Sequence, residues 1–391
     1  MHNILVHFQL LCLLSLAFII LLVATSCAQA APATVKVITL REGCLAPDVA
    51  VDANGVLHVV VGLKNDAYYL RSTDNGATFS RPVKLNNEIG VTTAMGERGP
   101  KIALGKDGAI FVCWADRWSP GVKVYARLTR SLDGGKTFNP PIAMSDVSGF
   151  DGLTLTADTT GNVLSFWHIN DARKPLEKQA TWLYMTRSTD NGLTFSKSER
   201  LYITGHNGLA CSMCMMRARM TTDGRACLVF RSATGDVRDF YVLTGKVAEN
   251  DFTAVRVNTD NWKIDYCPMC GPELTLAPDG RAYCAFMTSH KVYWAVSNAN
   301  ITTFNLHVGT RANENDEIYP TAIANRQGDV LFLWQVGPMS VSGTAVVKWE
   351  RYTTDGKTTG ERGTVGTSFS GTKATAFVGA DGNFYIVTTA K

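Results

Sequence analysis

Charge of one sign is scarce in this chain: 38 Lys and Arg against 34 Asp and Glu leave a formal net charge of +4 over 391 residues. With no concentrated basic stripe there is no electrostatic footprint for nucleic acid, and none is expected as a partner. Disorder is excluded too, because 46% of the residues are hydrophobic and 18% charged, the reverse of the composition that keeps chains unfolded. Glycine (34) and proline (13) fall far below collagen-like or low-complexity levels. Amphipathic helical periodicity is missing, and only one long apolar run occurs.

That run, residues 10–23, is followed at once by small residues: Ala24, Thr25, Ser26, Cys27, Ala28 and Ala30. An apolar segment leading into a small-residue cleavage site is the layout of a secretory signal. It is shorter than the roughly 20 apolar residues that span a membrane. His2 and His7 stand in its leading part in place of Lys or Arg. Ala28-Gln29-Ala30 fits cleavage after Ala30, whereas Ala24-Thr25-Ser26-Cys27 resembles a bacterial lipobox with Cys27 lipidated. Residues 1–30 are therefore expected to be a signal peptide or lipoprotein signal, and 31–391 a single domain. The protein is expected to be exported: secreted, periplasmic or lipid-anchored at the cell envelope, with membrane contact only through Cys27.

Export changes the reading of the ten cysteines. Once Cys12 and Cys27 are set aside, Cys44, Cys113, Cys211, Cys214, Cys227, Cys267, Cys270 and Cys284 remain. In an oxidising compartment, neighbouring thiols are disulfides by default.

Three octads share one form: Ser72–Phe79, Ser131–Phe138 and Ser188–Phe195 each read Ser-x-Asp-(Asn/Gly)-Gly-x-Thr-Phe. The Asp can accept turn N–H groups, the Gly can take positive φ, and the Phe can pack beneath the turn. Weaker echoes lie at Ser297–Phe304 and Thr353–Thr359. A second unit, a hairpin with a polar-Gly turn, recurs at Gly55, Gly108, Gly161, Gly224, Gly280, Gly328 and Gly382, at intervals of 48 to 63 residues. Repeats of this length with short strands predict an all-β propeller. Seven hairpins favour seven blades, the last completed by a strand around Val35–Leu40; six blades with an accessory hairpin is the alternative.

The octads resemble the Asp-box (bacterial neuraminidase) repeats of the sialidase-like propellers, and the resemblance covers nearly all of the chain after the signal. It implies structural octads on one rim and a glycan site on the other. On that rim Arg98-Gly99-Pro100 resembles the family's Arg-x-Pro start of an inner strand, and Arg231 resembles its second arginine. Lys291 stands where a third would be, and Tyr319 at the place of the nucleophile. Asp116 is the candidate acid/base. The place of the activating Glu falls around Cys214-Met215-Met216 and holds no carboxylate. A resemblance to secreted bacterial sialidase-like proteins of unsettled function is closer, carried by Cys211–Met216, Arg238-Asp239 and the run Trp262–Pro268.

Cys211-Ser-Met-Cys214 and Cys267-Pro-Met-Cys270 lie 56 residues apart at equivalent repeat positions. They should converge on the working rim as one or two disulfides stiffening the loops. The alternative is a soft-metal site for zinc or, with Met213, Met215, Met216 and Met269 nearby, for copper; no other cofactor is expected. Cys113, Cys227 and Cys284 fall within second strands, where Cys serves as a small hydrophobe. The expected ligand is an acidic glycan at a cationic funnel lined by Arg98, Asp116, Arg117, Arg231, Arg238, Asp239, Lys291 and Tyr319. Catalysis of the exo-α-sialidase type would use Tyr319 and Asp116, and a non-catalytic binding propeller is the competing reading.

Overall fold

Second strands such as Ile110–Ala115 and Ala282–Thr288 are almost uniformly buried. Their unbroken apolar runs arise because each sheet is covered on both faces by neighbouring sheets. Third strands such as Asp66–Ser72 alternate buried and half-buried residues instead. The computed structural model describes residues 33–117, 123–146, 150–169, 180–310, 317–337, 344–369 and 373–390, and Val35–Lys391 form one compact unit. The signal-like segment and Cys27 lie outside the described residues.

Seven sheets follow one another along the chain. Their innermost strands are Cys44–Val51, Lys101–Leu104, Phe150–Ala157, Arg217–Met220, Glu273–Leu276, Glu317–Ala324 and Thr375–Val378, for blades one to seven. Each innermost strand touches the next and the seventh touches the first, which closes a ring about an axis. The fold is thus a seven-bladed β-propeller, and the six-bladed alternative is discarded. Blade seven is completed as expected by the amino-terminal strand Val35–Leu40, which pairs in parallel with Phe384–Thr389, Val35 opposite Phe384 and Leu40 opposite Thr389.

The octads sit at the ends of third strands, on the rim where the innermost strands finish. In each, the Asp accepts the backbone N–H and the hydroxyl of the Thr four residues on (Thr78, Thr137, Thr194), at 2.6 to 3.0 Å. The Ser hydroxyl accepts the N–H of the octad Gly. That glycine has a second duty. Gly135 has φ 81°, and a Cβ there would stand 2.2 Å from the Tyr69 hydroxyl of blade one. Gly76 and Gly192 meet Ile38 of blade seven and Phe111 of blade two in the same way. The octads therefore clasp each blade to the one before it.

The opposite rim, where innermost strands begin, carries three bulges. Register shifts occur at Leu45/Asp48, Asp151/Thr154 and Ile318/Thr321. They place Ala46 (φ 47°), Gly152 (φ 71°) and Tyr319 (φ 53°) in the left-handed region. Bulges re-aim side chains and gather near functional sites. An aromatic residue held at positive φ stores strain of order 1–3 kcal/mol.

Candidate functional site over the propeller axis

Because the innermost strands converge, residues far apart in sequence meet at the head of the axis. Asp151, beside the bulge of blade three, accepts Arg98 Nη2 at 2.7 Å and Nε at 3.2 Å in a two-pronged ion pair. Arg98 Nη2 also donates to the Met213 carbonyl at 2.6 Å. Both partners of the ion pair keep 21% side-chain exposure. Burial opposes the Arg98 charge, but Asp151 more than offsets it and the guanidinium is held above its ordinary pKa.

Beside Arg98 lies a carboxyl group that no motif indicated. Glu97 is 4% exposed, and its Oε1 accepts the N–H of Gly271 at 2.7 Å and of Met215 at 3.4 Å. Its Oε2 has no partner among the described residues. Burial raises the Glu97 pKa, with Lys373 and Arg98 countering. A Cβ at Gly271 would stand 2.6 Å from the Met215 carbonyl and 3.0 Å from Glu97 Oε1, so only glycine lets these strands approach. The sole sequence signal for Glu97 was its place next to Arg98.

Tyr319 is 5% exposed, and its N–H donates to Cys270 Sγ at 3.4 Å. Burial pushes the phenol up, reinforced by Glu97 and Cys270. The expected nucleophile is therefore present at the rim, but held protonated. Below it, Arg217 forms a fork with both oxygens of Asp48 and donates from Nε to Glu273 Oε1 at 2.5 Å. Lys373 Nζ donates to Glu273 Oε2 at 2.8 Å, and Lys101 Nζ to the Glu97 carbonyl at 2.9 Å. Burial lowers the Lys101 pKa to about 8. Burial opposes the Glu273 charge, but Arg217 and then Lys373 hold the carboxyl well below its usual range. A cavity of about 20 Å³ among these groups has room for a single water.

The cysteines also meet here, though not in the expected pairs. All eight cysteines among the described residues are free thiols. The sulfurs of Cys211, Cys214 and Cys267 lie within 4.8 Å of one another, Cys214 and Cys267 at 3.5 Å, and all three are buried. Pairing of Leu209–Cys211 with blade three sets Cys211 opposite Ala180. Cys270 turns away toward the Tyr319 N–H, and burial pushes it up to about 12. The neighbouring Cys211 and Cys214 thiols hold Cys267 below its ordinary pKa. His168, fully buried, donates from Nε2 to the Cys214 carbonyl at 3.2 Å, and burial lowers its pKa. The second-strand cysteines Cys113, Cys227 and Cys284 are fully buried, as expected.

Several expected funnel residues stand elsewhere. Arg231 is 1% exposed, donates to the carbonyls of Arg238, Cys270 and Met287, and lies over the Phe240 ring at 4.2 Å. Its guanidinium is occupied by backbone, so it is a brace for two blades and not an open carboxylate clamp. Arg238 donates to the Gly235 carbonyl, and its N–H to that of Trp262 at 2.9 Å. Asp239, fully buried, binds Arg256 and Asn258. These contacts tie the Arg238-Asp239 pair and the Trp262 run together as a structural unit. Asp116 is held by Arg127 at 3.0 Å, and with Arg117 it lines a separate cavity of about 400 Å³ beside Asn86, Lys123 and Tyr125. Lys291 begins the third strand of blade five, two strands out from the axis. Of the cationic residues expected to line one funnel, Arg98 stands over the axis, above the buried Arg217, Lys101 and Lys373. A wider cavity of about 850 Å³ opens at the opposite mouth, and none of the expected site residues lines it.

No family model and no curated protein matches this sequence. Solved structures do match in fold. A protein of unknown function from Dyadobacter fermentans aligns at 17% identity over 77% of this chain and 93% of its own, with a TM-score of 0.51. The α-L-arabinanase of Penicillium chrysogenum, complexed with arabinobiose, aligns at 12% identity over 78% and 93%, with the same TM-score of 0.51. A PL25 ulvan lyase bound to GlcA(1-4)Rha3S aligns at 11% identity over 87% and 86%, also at 0.51. The chain shares the seven-bladed β-propeller fold with these glycan-active enzymes.

Proposed function

We propose that this chain is an exported, sialidase-like propeller that binds an acidic glycan over the head of its axis, with Arg98 meeting the ligand's carboxylate. The observation that carries the proposal is the Arg98–Asp151 fork. A planar guanidinium in two-pronged contact with a carboxylate, one-fifth exposed and braced by the Met213 carbonyl, is already arranged for that chemistry. The uronate-bearing ligand of the ulvan lyase supports the ligand class by analogy of fold alone. Export rests on the apolar run at 10–23 and the small residues after it. Attack by Tyr319 is poorly served, since the phenol is buried and kept protonated.

The test is binding by calorimetry against sialylated, uronate-bearing and neutral oligosaccharides. Acidic glycans should bind and neutral ones should not. Arg98→Ala should weaken binding by about 10-fold or more, the scale of a hydrogen bond to a charged group. Asp151→Asn, which removes the competing carboxylate, should leave binding intact or tighten it. Indifference to charge, or to both substitutions, would overturn the proposal.

A second reading is favoured by Glu97, a buried carboxyl near Tyr319 whose pKa is raised by burial and whose Oε2 has no hydrogen-bond partner among the described residues, an arrangement suited to deliver a proton to a leaving oxygen. Turnover of a fluorogenic acidic glycoside, abolished by Glu97→Gln but not by Tyr319→Phe, would establish it.

A further inference from the structure

We propose that Cys211, Cys214 and Cys267 form a binding site for one Cu(I) ion. The three sulfurs are mutually within 4.8 Å, come from two neighbouring blades, and are 3%, 2% and 8% exposed. Two strand-borne loops have been brought together to place them. Cys211 is set by the pairing of Leu209–Cys211 with blade three, and the Cys214 carbonyl receives a hydrogen bond from buried His168. Outer-shell donors of this kind orient metal-binding thiolates.

The donor set selects the ion. No imidazole or carboxylate belongs to the cluster among the described residues, whereas zinc sites normally complete a tetrahedron with a fourth ligand. The half-buried Met213 packs against the cluster that holds the three cysteines and covers it with apolar surface. Three soft thiolates with no harder donor among the described residues suit Cu(I). Three thiolates around a monovalent ion leave two negative charges. Arg98 and Arg231 both lie within electrostatic reach of Cys214 and offset them. On binding, each S–H bond breaks heterolytically, its proton passes to solvent, and the sulfur lone pair goes to the metal. Met269, 41% exposed and two residues from Cys267, marks the side from which an ion could be delivered.

The experiment titrates the full chain, kept reduced and free of oxygen, with Cu(I) against a chromogenic chelator, and then takes X-ray absorption spectra at the copper edge. One copper per chain with a sulfur-only shell is expected. Cys214→Ser and Cys267→Ser should each weaken binding beyond the roughly 10–100-fold that loss of an outer-shell partner costs. Cys270→Ala, outside the triad, should keep it. Native alkylation read by mass spectrometry requires no variant to fold: copper should protect Cys211, Cys214 and Cys267 together. A Cys214–Cys267 disulfide in protein purified without oxygen would overturn the proposal. So would undiminished copper in Cys267→Ser, or stoichiometric zinc that Cu(I) fails to displace.

Discussion

In the octad turns every hydrogen bond of the Asp lies within four residues: Asp133 takes those of Ser131, Lys136 and Thr137. At the head of the axis Arg217 reaches back 169 residues to Asp48, and Glu97 receives the N–H of Gly271, 174 residues on. The octads hold their own turns and touch the preceding blade through the octad glycine and a hydrogen bond from that blade, such as Arg71 to the Gly134 carbonyl. The axial groups are buried, and each depends on several blades. A local network survives the loss of its surroundings, but a long-range one is only as sound as the ring that assembles it.

The largest effect should come from breaking the axial network. Arg217→Ala leaves Asp48 and Glu273 buried without their shared cation, and unfolding by denaturant should show a loss of about 3–5 kcal/mol. A loss below 1 kcal/mol would mean that the head of the axis is less cooperative than its geometry implies.

The glycine contact between blades supplies the next test, with its own control. Gly134 and Gly135 both have positive φ, but a Cβ at Gly134 meets nothing within 4 Å, whereas at Gly135 it meets Tyr69 at 2.2 Å. Gly135→Ala should therefore cost about 1–3 kcal/mol more than Gly134→Ala, the price of overpacking. Equal losses would show that the octads do not clasp neighbouring blades.

Acid should also separate the octads from a half-buried imidazole of blade four that packs on Phe230 and Tyr241, outside the axial network. His206 accepts the Gly208 N–H at Nδ1 and lies 2.9 Å from Ser232 Oγ through Nε2, and burial lowers its pKa from 6.5 to about 4. The unfolded chain takes up that proton first, so this stability is complete above pH 6.5 and is lost as pH falls toward 4. Asp74, held by Ser72 and Thr78, is lowered from 3.8 to about 2, so its contribution persists until pH falls below the ordinary carboxylate range. Hydrogen exchange at Gly208 should accelerate well before that at Thr78. The reverse order would break the comparison. The smallest effect belongs to Thr194→Val, which removes one exposed octad hydrogen bond and should cost no more than about 1.5 kcal/mol by thermal unfolding.

The same division explains what could be read from residues alone. The octads, the seven turn glycines and the closing strand Val35–Leu40 are local patterns, and their periodicity implied the propeller and the equivalent positions of the two cysteine loops, while the division into two rims came from the resemblance to the Asp-box propellers. Arg98 was recognisable from Arg98-Gly99-Pro100. Arg231, Asp239 and Asp116 were of the right type at the right strand ends, but their carbonyl and ion-pair partners come from other segments, which turned them into braces. Disulfides within each loop were the natural pairing from spacing. Convergence of blades four and five set Cys214 against Cys267 instead and turned Cys270 to Tyr319.

By itself, then, the sequence determined the repeat and the strand order, because turns and strand alternation are decided by interactions within a few residues. Only the tertiary structure decided what the residues at the axial rim do. The bulges that aim Asp151 and Tyr319, the burial that raises the Glu97 pKa and the three-sulfur cluster all arise where closing the ring forces separate strands into one small volume. There the partners, and not the residue types, set the chemistry.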